Sequence, residues 1–404
     1  MTPLNVLLSG DGYKYGAHAL IRQGIDSAQF YFGVRQAQTP VVAIGMNMVA
    51  DALRDPITHA DIDSALELVE FDKRPWRAIA DLGHYPVRVR SIPEGAIVDP
   101  ARPILTLDIT ENRFLWLAPL LEAIVYQAVW YPSTVATKLL DMRARLAAGG
   151  WSFLVPQYNR GSSSQEQAAK SALAYNLVFG ASEHQAALLG HAYPGMPRFR
   201  IGGHVCEHMI TLLNDEDKCA GLGSAVMCDT NDPDPEPFIR RNIRQLVKSR
   251  SPILIDGGDV EAEMLRAANL VYELAGGELI DGKIMLPIPI VQLDNMPYDR
   301  WRQMVANLAG SRFHPGCFVF ADEKYTAHEI TRDTYGFAFK VCAKEEGGQT
   351  VALAKQPGRA KGTLSGRFEL PITLYDFGAV RLTPYGEIEA RVRQSLTELP
   401  KGDS

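Results

Sequence analysis

The spacing of hydrophobic and polar residues gives residues 1–110 a mixed character. Apolar residues at helical spacing predict helices, whereas period-two alternation predicts half-buried strands. Helices are expected at 46–54, 60–70 and 76–83, and another between a polar turn at 9–12 and the first long strand. Strands are expected at 6–8, 28–35, 87–90, 97–98 and 104–109. Such a mixture predicts an α+β layer with much antiparallel pairing.

From Trp151 onward, short apolar strands alternate with helices. The expected strands are 152–155, 199–201, 225–228, 253–255, 290–293 and 317–321, and the expected helices are 163–178, 183–191, 205–213, 237–248, 259–275, 298–309 and 323–333. Repeating strand–helix units predict a parallel α/β barrel or a doubly wound sheet. After Phe337 the pattern returns to strands, at 337–343, 350–355 and 366–375, and ends on a charged helix at 386–397.

Composition limits the classes of function. The 404 residues are 46% hydrophobic and 22% charged, enough for a large core and a second domain. A net charge of −6 argues against general nucleic-acid binding but leaves room for a local phosphate pocket. No signal peptide is visible, and five scattered cysteines predict reduced thiols in a cytoplasm. The longest apolar run, 114–131, contains Glu122 and Gln127 and abuts Pro132, so it predicts a buried helix and no membrane span.

Four of the expected strands end in aspartate, namely Asp229, Asp256, Asp294 and Asp322. The carboxyl ends of parallel strands form the functional face of such folds. For any single aspartate, capping of the following helix is the simpler interpretation. Several carboxylates together suit the binding of sugar hydroxyls and Mg²⁺ and the stabilisation of a cationic carbon. Acyl transfer fits poorly, because no serine stands in an elbow motif.

The stretch 201–213 places His204, Glu207 and His208 between a glycine pair and an apolar helical run. A strand that ends in glycines and leads into a helix presents backbone N–H groups and side chains at one mouth. The alternative is a helix start whose histidine is bonded to the neighbouring Glu207. Cys206 lies between the two histidines, but the sequence offers no matching ligand cluster elsewhere, so metal ligands stay unassigned.

A second cluster spans residues 158–166. An Arg-Gly turn followed by serines before a helix forms an anion site, where helix N–H groups, hydroxyls and a guanidinium face one point. The alternative is a plain capping box of serine and glutamate. Arg160 is not needed for capping, which favours a phosphate ligand.

These clusters resemble the nicotinamide phosphoribosyltransferase family, a relative of nicotinate phosphoribosyltransferase. The matching phrases occur in the same order over nearly the whole chain, at 11–14, 31–35, 92–95, 130–138, 160–161 with 163–166, 207–208, 331–333 and 339–340. The phrases at 130–138 and 160–166 are rather specific, whereas Pro-Glu-Gly at 93–95 is weak by itself.

The resemblance implies a type II phosphoribosyltransferase-like α/β fold. It implies a barrel-like catalytic domain at 149–336 and a discontinuous mixed α+β domain at 1–148 and 337–404. In that family, homodimers with active sites at the dimer interface join a pyridine base to phosphoribosyl pyrophosphate, with Mg²⁺ as cofactor and ATP acting through a phosphohistidine. Nucleic acid and membrane are not expected partners.

The resemblance also assigns roles to residues. Catalytic roles fall to His208, as the phosphorylatable histidine, and to Asp256 and Asp294. Asp229 would join these two aspartates in serving ribose and metal. Tyr13 would stack on the base from the other subunit, and Glu183 stands where the family has its amide-selecting acid. The phosphate-binding set is Arg35, Arg160, Arg332, Lys340 and Lys361.

Three departures from the family pattern change the expected site. Residues 322–325, bulky and net acidic, stand where a glycine-rich loop would bind a 5′-phosphate, so the grip on phosphate should be weaker. The Arg-Pro expected just before Asp256 is missing. Gln157 replaces the aromatic residue expected before Arg160, with Tyr158 beside it, so the base sandwich is altered.

Three functions are therefore open. The first is a phosphoribosyltransferase on nicotinamide or a related pyridine carboxamide. The second is a recruited homologue that makes or cleaves an N-glycosidic bond of a modified pyridine nucleotide in specialised metabolism. The third is a catalytically silent, nucleotide-binding homologue, against which the retained His208, Arg160 and strand-end aspartates argue.

Overall fold

The computed structural model describes residues 3–35, 40–151, 154–155, 158–181, 183–199, 204–294, 296–321, 324–355 and 363–398. Four residues named above lie outside the described residues, namely Gln157, Asp322, Glu323 and Lys361. The glycine pair at 202–203 also lies outside them, as does the side chain of Tyr158.

Thirteen α-helices occur among the described residues. They are α1 Pro3–Leu8, α2 Met46–Ala52, α3 His59–Leu66, α4 Lys73–Leu82, α5 Leu117–Ala148, α6 Tyr158–Gly161, α7 Gln165–Phe179, α8 His208–Asn214, α9 Glu216–Cys219, α10 Pro235–Ser249, α11 Val260–Ala275, α12 Tyr298–Gly310 and α13 Tyr385–Glu398. Short 3₁₀ turns cover Gly12–Lys14, Ala17–Ala19, Asn112–Phe114, His184–Leu189 and Pro315–Cys317, and Lys324–His328 forms one π-helical turn.

Thirteen of the described strands fall into two main sheets, and the other four form the pairs β2–β4 and β10–β11. They are β1 Ser27–Val34, β2 Val41–Val42, β3 Arg88–Ser91, β4 Ile97–Val98, β5 Pro103–Ile109, β6 Leu154–Val155, β7 Val205–Cys206, β8 Ala225–Met227, β9 Ile253–Ile255, β10 Glu278–Ile280, β11 Lys283–Met285, β12 Ile290–Gln292, β13 Phe318–Ala321, β14 Phe337–Glu346, β15 Gln349–Ala352, β16 Ile372–Asp376 and β17 Ala379–Val380. An antiparallel sheet has the order β15-β14-β1-β5-β3-β16-β17, and a parallel sheet has the order β6-β13-β12-β9-β8-β7.

The two sheets draw on different parts of the chain. The antiparallel sheet uses strands from 27–109 and from 337–380, whereas the parallel sheet uses strands from 154–321. The predicted α/β fold class is confirmed, with strand–helix repeats that build a parallel sheet and an antiparallel sheet made by both ends of the chain. The domain boundaries at 148 and 336 stay a prediction that this partition supports.

Helix α5 is the longest of the described elements, with 32 residues, and it continues through Pro132. Proline has no N–H, so the Ala128 carbonyl lacks its usual helical donor. Gly45 packs against this carbonyl, and a Cβ on Gly45 would lie 2.1 Å from the Ala128 oxygen. The prediction of a buried helix is confirmed, but the helix continues beyond the proline that the sequence pattern places at its edge. In the part of the chain that the structure describes, no helix is long and apolar enough to cross a membrane.

The N-terminal expectations are wrong in detail. Residues 6–8, expected as a strand, belong to helix α1, where Val6 and Leu7 are buried. An apolar run this short has no resolvable period, so burial alone cannot distinguish strand from helix. The helix expected after the polar turn is replaced by the 3₁₀ turns Gly12–Lys14 and Ala17–Ala19.

Corrections also apply around the parallel sheet. Residues 200–201 of the strand expected at 199–201 lie outside the described residues. Val205–Cys206, expected as the start of a helix, is a strand that pairs in parallel with β8. The helix expected at 323–333 is only the turn Lys324–His328, and that expected at 183–191 is a 3₁₀ turn. The hairpin β10–β11 was not foreseen, because its residues are exposed or half-buried and lack a clear alternation.

A buried carboxylate connects distant parts of this fold. Glu94, in the Pro-Glu-Gly turn, accepts hydrogen bonds from the backbone N–H of Gly45 at 2.6 Å and of Asn47 at 2.8 Å. The Tyr193 hydroxyl donates to the same carboxylate at 2.9 Å, and Arg391 donates to the Glu94 carbonyl at 2.7 Å. The turn therefore has a structural role, since it joins the start of α2 to the C-terminal helix.

We expect Glu94→Gln to lower the free energy of unfolding by about 1–3 kcal/mol, because one acceptor oxygen becomes an NH₂ group that faces buried donors. Urea unfolding measures the change. Glu67→Gln, at an exposed site on the same half of the chain, is the matched control. A Glu94→Gln stability equal to that of Glu67→Gln would contradict the structural role of the carboxylate.

Candidate active site

Three strand-end aspartates lie at one edge of the parallel sheet. Asp229, Asp256 and Asp294 follow β8, β9 and β12, which are neighbours in the sheet. The capping alternative is wrong for Asp229 and Asp256, since Asp234 caps α10 and Asp259 caps α11. It is wrong for Asp294 too, because Pro297 occupies the N-cap position of α12. These carboxylates are thus not needed to start the helices that follow them.

His208 is held by a residue that the sequence did not single out. Its Nδ1 lies 3.0 Å from the Thr230 hydroxyl, and its Nε2 lies 3.7 Å from Asp256 Oδ2. Glu207 instead caps helix α8, accepting from the Met209 N–H at 3.1 Å. The interpretation of a histidine bonded to its neighbouring glutamate is therefore wrong. Thr230 could have been suspected only because it directly follows a strand-end aspartate.

Asp229 carries the clearest sign of an unfilled binding role. Its Oδ1 is buried and has no hydrogen-bond partner among the described residues. Burial raises the pKa of Asp229, nearby His208 lowers it and nearby Asp256 raises it. These couplings place the two aspartates and the histidine within one electrostatic neighbourhood. A hydroxyl or a cation brought to Oδ1 would satisfy the buried oxygen.

Asp294 is fixed through its backbone. The side chain of Gln292, completely buried, donates to the Asp294 carbonyl, and its Oε1 accepts from the Ala321 N–H at 2.9 Å. Gln292 thereby connects the ends of β12 and β13. The structure places Asp294 at the same edge of the sheet as Asp256, the carboxylate that lies near His208.

Lys14, Arg35, Arg332 and Lys340 form a basic cluster, and Glu122 lies between its two lysines. Lys14 Nζ lies 2.6 Å and Lys340 Nζ 3.7 Å from the Glu122 carboxylate. Burial lowers the pKa of Lys340; Glu122 opposes this shift, and the other three cations add to it. The Arg35 Nε is buried without a hydrogen-bond partner among the described residues. Four cations with one carboxylate between the two lysines form a site that an anion would stabilise.

Tyr13 extends from this cluster into solvent. It lies on the turn Gly12–Lys14, its side chain is 81% exposed, and the Lys14 Nζ is 5.7 Å from its ring centre. The chain therefore presents an exposed aromatic ring beside the basic cluster.

The sequence analysis did not identify Lys14 and Glu122 as site residues, although the matching phrase at 11–14 contains the lysine.

Arg160 is exposed on helix α6, just before α7. Capping of α7 is done by Ser164, which accepts from the Gln167 N–H at 3.1 Å, while Glu166 pairs with Lys170 at 2.6 Å. The serines thus do cap the helix, and Arg160 takes no part in that cap. The adjacent Gly161 packs against the His328 ring, where a Cβ would lie 1.9 Å from Cε1.

Glu183 lies beyond the other end of α7. Its N–H donates to Asn176 Oδ1 at 2.8 Å, and Asn176 Nδ2 donates to the Glu183 carbonyl at 2.9 Å. Burial raises the pKa of Glu183, against which His184 acts. A 15-residue helix is about 22 Å long, so the structure does not bring Glu183 and Arg160 together within one chain.

The turn Lys324–His328 is fixed by an aromatic stack. The rings of Tyr325 and Tyr298 stack at a centroid distance of 3.8 Å, and the Lys138 Nζ lies 3.3 Å from the centre of the Tyr325 ring. The Tyr131 hydroxyl donates to the Ala327 carbonyl at 3.1 Å. The half of segment 322–325 that the structure describes is therefore packed against helices α5 and α12.

Comparison with known proteins supports the resemblance found in the sequence. No protein-family model matches the chain. It is 26% identical over 417 residues to a nicotinamide phosphoribosyltransferase of Xanthomonas campestris pv. campestris, covering 91% of this chain and 87% of the relative. It is 24% identical to a nicotinamide phosphoribosyltransferase of Acinetobacter baylyi, covering 71% of this chain and 66% of that relative.

Two solved structures share the fold. Nicotinate-nucleotide pyrophosphorylase from Pyrococcus furiosus gives a TM-score of 0.61 at 12% identity, over 98% of this chain and 97% of that one. Human nicotinic acid phosphoribosyltransferase gives 0.61 at 18% identity, over 97% and 94%. The chain therefore has the type II phosphoribosyltransferase fold, and the resemblance to nicotinamide phosphoribosyltransferases is confirmed.

From the exposed position of Arg160 we expect Arg160→Ala to weaken the binding of inorganic pyrophosphate roughly tenfold or more, since a charge-assisted hydrogen bond contributes about 1.5–3 kcal/mol. Arg160→Lys should restore only part of the affinity, because lysine lacks the planar fork. Isothermal titration calorimetry measures both. Arg244→Ala removes one exposed charge from α10 and is the control. Unchanged affinity in Arg160→Ala would exclude an anion site there.

Proposed function

We propose that this chain, with its type II phosphoribosyltransferase fold and its relatives named nicotinamide phosphoribosyltransferase, is a pentosyltransferase of NAD biosynthesis. It joins nicotinamide or a related pyridine carboxamide to phosphoribosyl pyrophosphate, giving the mononucleotide and pyrophosphate. The observation that carries this proposal is the meeting of His208, Asp229 and Asp256 at the carboxyl edge of the parallel sheet.

The strand-end carboxylates suit the charge that this reaction develops. Loss of pyrophosphate leaves positive charge on the ribosyl carbon, which preorganised carboxylates stabilise before the base nitrogen attacks. We assign this role to Asp256 and Asp294. The unpartnered Oδ1 of Asp229 would accept a hydrogen bond from a ribose hydroxyl. Each group is fixed at a strand end, so little reorganisation is needed.

Mg²⁺ is the expected companion of phosphoribosyl pyrophosphate, and the donor set is compatible with it. Carboxylate oxygens are the ligands that Mg²⁺ prefers, and the buried, unpartnered Oδ1 of Asp229 beside Asp256 would gain from a cation. Among the described residues, no group of three or more His, Cys, Asp or Glu forms a metal site by itself. The ion would therefore share its ligands with the substrate, and would supply neutralisation of the pyrophosphate charge.

The basic cluster and Arg160 are the proposed phosphate contacts. Arg35 and Arg332 act on Lys340, which lies 3.7 Å from the Glu122 carboxylate. The buried Arg35 Nε has no hydrogen-bond partner among the described residues, so an anion that reached it would satisfy this donor. Lys361 is assigned to phosphate by resemblance alone. Gln157 and Tyr158 are assigned to the base sandwich on the same ground, and Glu183 to the carboxamide.

A homodimer would complete the site. Exposed apolar side chains flank His208 on helix α8, where Leu213 is 81% exposed and Met209 and Leu212 are each 68% exposed. Tyr13, on the turn Gly12–Lys14, is equally exposed. We propose that a second copy covers α8 and contributes its Tyr13.

Monomers of this chain in sedimentation velocity at assay concentration would refute the shared site. Leu213→Arg should convert dimers to monomers.

ATP use belongs to the same proposal. His208 would accept a phosphoryl group, and His208→Ala should abolish stimulation by ATP while the fold is kept. The five cysteines, all buried as free thiols, fit the reducing cytoplasm in which this activity is expected.

The second candidate, a recruited homologue acting on a modified pyridine nucleotide, has one observation in its favour. Tyr325 is packed between Tyr298 and Lys138, where the family has a glycine-rich phosphate loop. A side chain there keeps the backbone from approaching a phosphate closely. This candidate predicts that a nucleoside binds as well as its 5′-monophosphate.

The deciding assay incubates the purified chain with phosphoribosyl pyrophosphate, Mg²⁺ and a panel of pyridine bases, with and without ATP, and follows products by mass spectrometry. Mononucleotide from nicotinamide supports the proposal, and His208→Ala tests the ATP arm. In a second set of reactions, the purified chain is incubated with mononucleotides or nucleosides, with and without pyrophosphate. Turnover of nucleosides, without product in the first set, would favour the recruited homologue. Absence of turnover in both would refute an enzymatic role.

A further inference from the structure

We infer that Thr230 is a positioning residue that sets the orientation and tautomer of His208. The inference rests on the proposed phosphoryl role of His208 for its functional consequence, but not for its structural content. Thr230 immediately follows Asp229 at the end of β8, and its hydroxyl lies 3.0 Å from His208 Nδ1. Of the contacts that the structure describes for the imidazole, this is the one within hydrogen-bonding distance.

The two ring nitrogens of His208 have different surroundings. Nδ1 is within hydrogen-bonding distance of a hydroxyl, whereas Nε2 is 3.7 Å from Asp256 Oδ2, which is too far for a hydrogen bond but close enough for the carboxylate to attract the ring once the ring carries positive charge. The Thr230 hydroxyl can accept from Nδ1–H or donate to a bare Nδ1. We assign it the acceptor role, in which Nδ1–H donates to Thr230 and the Nε2 lone pair stays uncommitted. The nitrogen that a partner leaves free is the one available as a nucleophile.

In the proposed phosphoryl transfer, Nε2 is therefore the nitrogen that attacks. The Nε2–P bond forms as the bond between the γ-phosphorus of ATP and its bridging oxygen breaks, and ADP leaves with that electron pair. No proton moves, because Nδ1 keeps its hydrogen. The ring becomes cationic, and that charge is stabilised by the Thr230 oxygen at Nδ1 and by the Asp256 carboxylate nearby.

The backbone explains why this pairing is reproducible. His208 is the first residue of α8, and Glu207 fixes the helix start by accepting from the Met209 N–H. Strand β7, just before it, pairs in parallel with β8, and Thr230 lies three residues beyond the end of β8. The two residues are thus placed by adjacent strands of one sheet, which favours a preorganised contact over a chance encounter of flexible side chains.

The test compares Thr230→Val, which removes the hydroxyl at nearly constant volume, with Thr230→Ser, which retains it. Thr110→Val, at an exposed site, is the matched control. The first readout is the tautomer of His208 from long-range ¹H–¹⁵N spectra of the full chain labelled at histidine, with the signal assigned by its loss in His208→Ala. This readout requires no catalytic activity.

We expect the Nδ1–H tautomer in the wild type, Thr230→Ser and Thr110→Val, and a mixture of tautomers in Thr230→Val. An Nε2–H tautomer in the wild type, or a Thr230→Val spectrum like that of the wild type, would overturn the inference even if the chain proves to be a phosphoribosyltransferase.

The second readout is labelling of His208 by γ-³²P-ATP. Loss of one hydrogen bond should slow labelling by about fivefold in Thr230→Val, with the KM for ATP unchanged and with recovery in Thr230→Ser. A purely structural role would instead lower stability and leave the rate per folded molecule unchanged, which would count against the inference. If no variant and no wild type is labelled, the ATP arm of the proposed function fails, and the tautomer readout alone decides the role of Thr230.

Discussion

The burial of the Glu94 carboxylate is the constraint on which the arrangement of the chain ends depends. Removing a charge from water costs several kcal/mol unless hydrogen bonds replace the water, so the three donors to Glu94 must keep their places. Asn47, whose N–H is one of those donors, extends the network through its side chain to Ala192 and to both backbone groups of Thr383. Segments far apart in sequence are thereby fixed relative to one another.

Helix α5 contacts two regions of the candidate site. Near the start of α5, Glu122 pairs with Lys14 and Lys340 of the basic cluster. The Tyr126 hydroxyl donates a hydrogen bond to the Phe337 carbonyl of β14 at 3.0 Å. Farther along, Tyr131 and Lys138 hold the turn Lys324–His328. One helix therefore supports both the cationic side of the site and the turn that follows β13. Since the helix is mostly buried, these two regions cannot move independently.

The sequence predicted much of the parallel sheet, because short apolar strands followed by amphipathic helices produce a periodic pattern of hydrophobic residues along the chain. Asp229, Asp256 and Asp294 were expected at strand ends and lie there. Elements that depend on distant packing escaped the pattern. Val6 and Leu7 are buried but in a helix, and α5 continues through Pro132, with Gly45 packed against the carbonyl that the proline leaves without its helical donor.

By itself, the sequence determined the α/β class, the strand-end carboxylates and the phrases shared with phosphoribosyltransferases, since each is encoded by neighbouring residues. Only the tertiary structure decided which side chains meet. His208 is held by Thr230, from the next strand of the sheet, and not by the adjacent Glu207. Glu122 and Lys14 are brought together across 108 positions of the chain. Such contacts depend on strand order and helix packing, which no local pattern of residues records.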